Sequence, residues 1–174
     1  MTKNTVSIKQ KSTKMNAIVS LVLALAMLSG CGFKMRGDYL LPAEMESVYV
    51  SSADPHGELT RLFKQHLTIN NVNIEKTHTA TSPEIRILKD SLNRRTLSLF
   101  DNGQVAEYEL TYTVRYDVMF KDEEAQRFSF DITRNYQDDP DRALAKSREL
   151  TLLRKEMRVE AADRILRNLA SISH

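Results

Sequence analysis

Disulfides cannot hold this chain together, because its 174 residues include a single cysteine, Cys31, and one thiol forms no intrachain bridge. Stability must therefore come from packing. Tryptophan is absent, and five glycines with four prolines are too few for a collagen-like or low-complexity chain. A surplus of one charge is missing as well: 25 basic residues face 23 acidic ones. That balance argues against nucleic-acid binding, which needs a concentrated basic surface. The longest apolar run, Ala17 to Leu28, is about a dozen residues, short of the roughly 20 that cross a bilayer as a helix. No internal repeat is visible.

What is present begins at the N-terminus. Lys9, Lys11 and Lys14 precede the apolar run, small residues close it, and Cys31 follows at once, which is the layout of a secretory signal. Leu28-Ser29-Gly30-Cys31 resembles the bacterial lipobox. That resemblance implies cleavage before Cys31, an S-diacylglycerol and an N-acyl group on that residue, and no other cofactor. Several acyl chains make a durable tether, since each buried methylene adds roughly 0.8 kcal/mol. Gly32 in place of an aspartate implies, by the same resemblance, sorting to the outer membrane on its periplasmic side. A core cysteine behind an ordinary signal peptide and a membrane-spanning helix are the competing readings. Residues 1–30 carry four lysines and no acid, so their removal leaves 21 basic against 23 acidic residues. The expected organisation is a signal over 1–30, a lipidated linker over 31–45 and one domain over 46–172.

Within that domain, Val48 to Ser51 reads as a short strand. Asp54-Pro55 starts a helix expected from Pro55 to Asn70, with Leu59, Leu62, Phe63 and Leu67 on its apolar face. Val72 to Glu75 is extended but short. Ile85 and Ile87, then Leu97 and Leu99, alternate along a strand whose parity changes at Leu88 and Leu92, predicting a bulge. Asn102-Gly103 predicts a type I′ hairpin turn. The next strand is the clearest: apolar and aromatic residues hold the even positions from Ala106 to Phe120, and polar residues hold the odd ones from Glu107 to Asp117. Phe128, Phe130, Ile132 and Tyr136 repeat the pattern. A nucleic-acid stacking platform is the rival reading of the tyrosine stripe, disfavoured because no arginine alternates with it on that face. Asp138-Asp139-Pro140 caps a last helix, Asp141 to Leu169, with a stripe of Leu150, Leu153, Met157, Ala161, Ile165 and Leu169. Its other face mixes arginine with glutamate and reads as solvated surface laced with i,i+4 pairs. The order predicts an α+β two-layer sandwich: two helices packed on one face of a mainly antiparallel four-stranded sheet.

Chemistry-bearing motifs are scarce. His56, His66, His78 and His174 match no zinc spacing, no Gly-x-Ser-x-Gly elbow or phosphate-binding loop occurs, and a lipidated Cys31 offers no thiol. Asp138 and Asp139 read as a helix cap. A hydrolase would need a convergent polar pocket.

Several short motifs occur in order behind the lipobox: Cys31-Gly32-Phe33-Lys34-Met35-Arg36, Asp54-Pro55-His56-Gly57, Phe100-Asp101-Asn102-Gly103-Gln104, Ala106-Glu107-Tyr108, Ala143-Leu144-Ala145-Lys146 and Lys155-Glu156-Met157. Together they resemble the LptE family of lipopolysaccharide-assembly lipoproteins over essentially the whole mature chain. The resemblance implies a protein that is no enzyme. It implies a one-to-one partnership with an LptD-like outer-membrane β-barrel, as a plug and assembly aid, and binding of lipopolysaccharide (LPS). A barrel lumen is polar, which suits a plug with a mixed-charge outside. Lys146 matches the family's basic position. The second basic position of the family falls on Asp101 here, so Arg94, Arg95 or Lys89 on the preceding strand is the expected source of that charge. Lys146 with Arg94 and Arg95 is the expected LPS-facing patch, and Phe100 to Gln104 is the expected barrel contact. A scaffolding lipoprotein for another barrel, without LPS affinity, is the alternative.

Overall fold

The computed structural model describes residues 41–172. Cys31, Gly32, most of the expected linker and His174 lie outside the described residues. A 3-10 turn, Ala43–Met45, leads into β1 (Ser47–Ser52). Met45 is fully buried, so the core begins inside the segment expected to be linker. There follow α1 (Glu58–Ile69), β2 (Asn73–Glu75), β3 (Glu84–Leu99), β4 (Val105–Met119), β5 (Gln126–Gln137), a 3-10 turn Pro140–Arg142, and α2 (Ala143–Ser171).

The sheet differs from the expected four antiparallel strands: it has five, in the order β2-β1-β3-β4-β5, and it is mixed. β1 is parallel to both neighbours, Val48 opposing Ile74 of β2 and Val50 opposing Ile85 of β3. The reason lies in the connections. α1 carries the chain over one face before β2, and a crossover of that kind returns the chain parallel. β3, β4 and β5 are joined by tight turns and stay antiparallel. The short extended stretch at Asn73–Glu75 is thus a true edge strand.

One face of the sheet holds the core with both helices. Phe63, Leu59 and Leu67 of α1, Val48, Ile85, Val114 and Tyr116 of the sheet, and Met157, Ile165, Leu166 and Leu169 of α2 are all about 1% exposed or less. The tyrosines of the stripe are core residues with a polar end. Tyr112 donates to Asp90 at 2.5 Å, Tyr116 accepts from Asn168 Nδ2 at 3.0 Å, and Tyr136 donates to the Lys146 carbonyl at 2.8 Å. Each spans from sheet to a partner without leaving a buried hydroxyl unpaired.

Helix starts follow two chemistries. Asp139 accepts from the Asp141 amide at 3.1 Å ahead of Pro140, but it caps the 3-10 turn; α2 itself starts at Ala143, later than the expected Asp141, with no side-chain cap from Arg142. At α1 the helix begins later than expected, at Glu58. Asp54 to Gly57 instead close a turn, with the Gly57 amide and the Thr60 hydroxyl both donating to the Asp54 carbonyl. A Cβ on Gly57 would meet Asp54 Oδ2 at 2.8 Å and its carbonyl oxygen at 3.2 Å, so a side chain there would require the Asp54 carboxylate to turn away.

Candidate functional site

The far ends of β3, β4 and β5 and the first turns of α2 project beyond the core. Leu99 is 60% exposed, Phe100 43% and Leu144 71%. The hairpin turn there is not the expected type I′. The Gly103 amide donates to the Phe100 carbonyl at 2.9 Å and Phe100 to Gln104 at 2.8 Å. Gly103 has φ +81°, whereas Asn102 is not in the left-handed region. This is a three-residue loop of type I ending on a left-handed glycine. Asn102 gains more by keeping ordinary backbone and accepting the Gln104 amide on its side chain at 3.0 Å, the asparagine turn that competes with positive φ.

The turn residues and Lys146 line one open cavity of about 750 Å³, together with the β5–α2 junction. The expected barrel contact and the expected LPS residue are therefore neighbours. The charge of the cavity is the reverse of an anion site: Asp101, Asp138, Asp139, Asp141 and Glu149 face Arg142 and Lys146. Lys146 is held as well, with its ammonium 2.8 Å from Glu149 Oε2 and 4.9 Å from the centre of the Tyr136 ring. Its side chain is 15% exposed.

Arg94 and Arg95 part company. The predicted bulge falls between Ile87 and Lys89, after which even positions of β3 share the helix-covered face. Arg94 therefore opposes Leu110 and lies 4.3 Å from the Tyr108 ring centre. Arg95 opposes Glu109 on the other face and pairs with it at 2.9 Å, 70% exposed. The expected patch of three cations is thus two cations, Arg94 and Lys146, on one face and a third behind the sheet. Tyr108 and Tyr136, which oppose each other across β4 and β5, supply the ring platform beneath the first two. The stripe is legible as core, but its cations come from β3 and from α2 and not from alternation along one strand. Arg134 of β5 also opposes Leu110 on this face and pairs with Glu160 of α2.

The open face of the sheet carries a second charged system. Arg86 grips Glu84 through two hydrogen bonds, and Arg127 grips Asp117 likewise. Burial alone would raise the Glu84 carboxyl, but the Arg86 and Ser51 hydrogen bonds outweigh it and hold it below the ordinary value. The Arg127 hydrogen bonds do the same for Asp117. Among the described residues, no cluster of three or more His, Cys, Asp or Glu is placed to hold a metal.

Fold and site together define a class: an α+β scaffold that presents a polar, charged arm and an exposed apolar tip from one compact core. The sequence profile of LptE, described as lipopolysaccharide-assembly, matches residues 45–169. The LPS-assembly lipoprotein LptE of Photorhabdus laumondii is 37% identical over 157 residues, covering 89% of this chain and 86% of that protein. The Yersinia enterocolitica protein of the same name is 39% identical over 155 residues, covering 87% and 75%. In structure, rare lipoprotein B from Shewanella oneidensis superposes with a TM-score of 0.67 at 51% identity, covering 72% of this chain and 94% of that one. The chain belongs to the LptE family. No described helix is long and apolar enough to cross a membrane.

Proposed function

We propose that this chain is an outer-membrane lipoprotein, tethered through Cys31 on the periplasmic side, that acts by binding and not by catalysis. It plugs an LptD-like β-barrel one-to-one, helps that barrel assemble, and binds LPS on its way to the outer leaflet. The observation that carries this reading is the family match over residues 45–169. The geometry is consistent with it. A plug needs a core of its own and a mixed-charge exterior, and a lipid tether raises its effective concentration at the barrel mouth. Phe100 to Gln104 is the proposed barrel contact. Lys146 and Arg94 act as neighbours over Tyr136 and Tyr108 toward LPS, and Arg95 acts separately from the opposite face.

Two measurements test this. The full chain, tagged and purified from outer membranes, is expected to bring down one β-barrel of matching stoichiometry, and recovery without any barrel refutes the plug. Lys146→Asp and Arg94→Asp are each expected to weaken LPS binding, because a carboxylate replaces a group that faces phosphate. Unchanged affinity in both removes them from the contact, and wild-type protein without LPS affinity leaves only the scaffolding role.

A further inference from the structure

Helix α2 carries seven cations and four acids, so where those acids pair decides which cations are left over. Glu149 is taken by Lys146, Glu160 by Arg134 of β5, and Asp163 by His66 of α1 at 2.8 Å. Arg158 turns to Glu58 of α1, and Arg164 lies over the Phe130 ring and donates to the Asp131 carbonyl. The i,i+4 lacing expected from the sequence is largely replaced by pairs between elements. Among the described residues, Arg148, Arg154 and Lys155 are left with no such partner.

These three line a groove of about 390 Å³ beside the start of α1, with Arg158, Thr151, the exposed Leu152 and Glu58 completing it. Glu58 is the single acid in the lining, and it is engaged by Arg158. Glu149 and Glu156 lie outside the lining. The groove therefore holds three unneutralised cations, whereas the cavity at Lys146 holds more carboxylates than cations. Arginine suits phosphate, since its planar fork donates two parallel hydrogen bonds. A concave site with an exposed leucine at its rim favours a compact phosphate group on an amphiphile over a flat acidic protein surface.

We propose that the groove formed by Arg148, Arg154 and Lys155 on α2 is an anion site for a phosphate group of a phosphorylated glycolipid, distinct from the Lys146 cavity. The proposal rests on the LPS-binding reading for the origin of that phosphate. The same chemistry is offered by a phospholipid headgroup or by free phosphate.

The test compares the full chain with an Arg148→Glu/Arg154→Glu/Lys155→Glu variant, whose exposed positions leave the core intact; circular dichroism confirms folding. Binding is measured to detergent-dispersed LPS, to the same LPS after enzymatic dephosphorylation, to detergent-dispersed phosphatidylglycerol, and to inorganic phosphate. The variant is expected to lose about tenfold or more in affinity for intact LPS, equivalent to roughly 1.4 kcal/mol, and nothing for the dephosphorylated form. Competition by inorganic phosphate or phosphatidylglycerol at equal phosphate concentration overturns the glycolipid as ligand and leaves a general phosphate site. Equal LPS affinity in variant and wild type overturns the groove while the LPS reading stands. Loss of barrel co-purification with LPS affinity intact overturns it in favour of protein docking. Wild-type protein that binds no LPS refutes both readings together.

Discussion

Helix α2 is continuous from Ala143 to Ser171, yet its two halves live in different surroundings. In the C-terminal half, Met157, Ala161, Ala162, Ile165, Leu166 and Leu169 are all about 1% exposed or less, whereas in the N-terminal half Leu144 is 71% and Leu152 57% exposed. Strand β3 repeats the contrast, from fully buried Ile85 to largely exposed Leu99. One end of the molecule is therefore a packed body and the other an arm built from the same unbroken elements. Hydrogen bonds along a helix and a hairpin carry order outward where burial no longer supplies it. The arm is anchored by Tyr136, which bonds the Lys146 carbonyl, and by Leu150 and Leu153, half-buried against the core. A surface that must meet a partner needs this separation, because exposed groups on the arm vary without cost to the core.

The contrast is broken most directly by truncation in each half. Leu166→Ala should destabilise the protein by about 3 kcal/mol in urea unfolding, through lost transfer energy and the cavity left behind. If the loss is as small as for Leu152→Ala, the body is not the source of stability. Acid probes the open face next. Glu84 and Asp117 have folded pKa values below ordinary, so their contribution is complete above the ordinary carboxyl values near pH 4 and fades as pH falls through the lowered folded ones. Asp117→Asn should flatten that acid limb of stability against pH, and an unchanged limb excludes the pair. Smaller again is Gly103→Ala in the arm. Nothing lies within 4 Å of the added Cβ, so the cost of about 1 kcal/mol should come from φ +81° alone. Smallest is Leu152→Ala, expected within about 0.5 kcal/mol of wild type.

Much of the body was legible. The period-two face from Leu110 to Phe120 and the stripe from Met157 to Leu169 are buried where the alternation and helical spacing put them, since periodicity is a local property. The bulge near Leu88 was visible as a change of parity, though its consequence for Arg94 and Arg95 was not. A one-residue shift exchanges faces, and only pairing with β4 shows which residue was skipped. The turn at Asn102 and the late start of α1 failed because side chains there offer the backbone other partners. Asn102 takes the Gln104 amide, and the Asp54 carbonyl collects both Gly57 and Thr60.

By itself the sequence determined which segments are helix and strand, which of their faces turn inward, and the family to which their motifs point. All of that is written in spacings of a few residues. The tertiary structure alone decided that β1 lies parallel between β2 and β3, that Arg94 and not Arg95 shares the helix-covered face, and that Glu160 and Asp163 of α2 pair with other elements, leaving Arg148, Arg154 and Lys155 without a carboxylate partner among the described residues. Strand order and charge pairing depend on which distant residues meet. Local spacing carries no record of that.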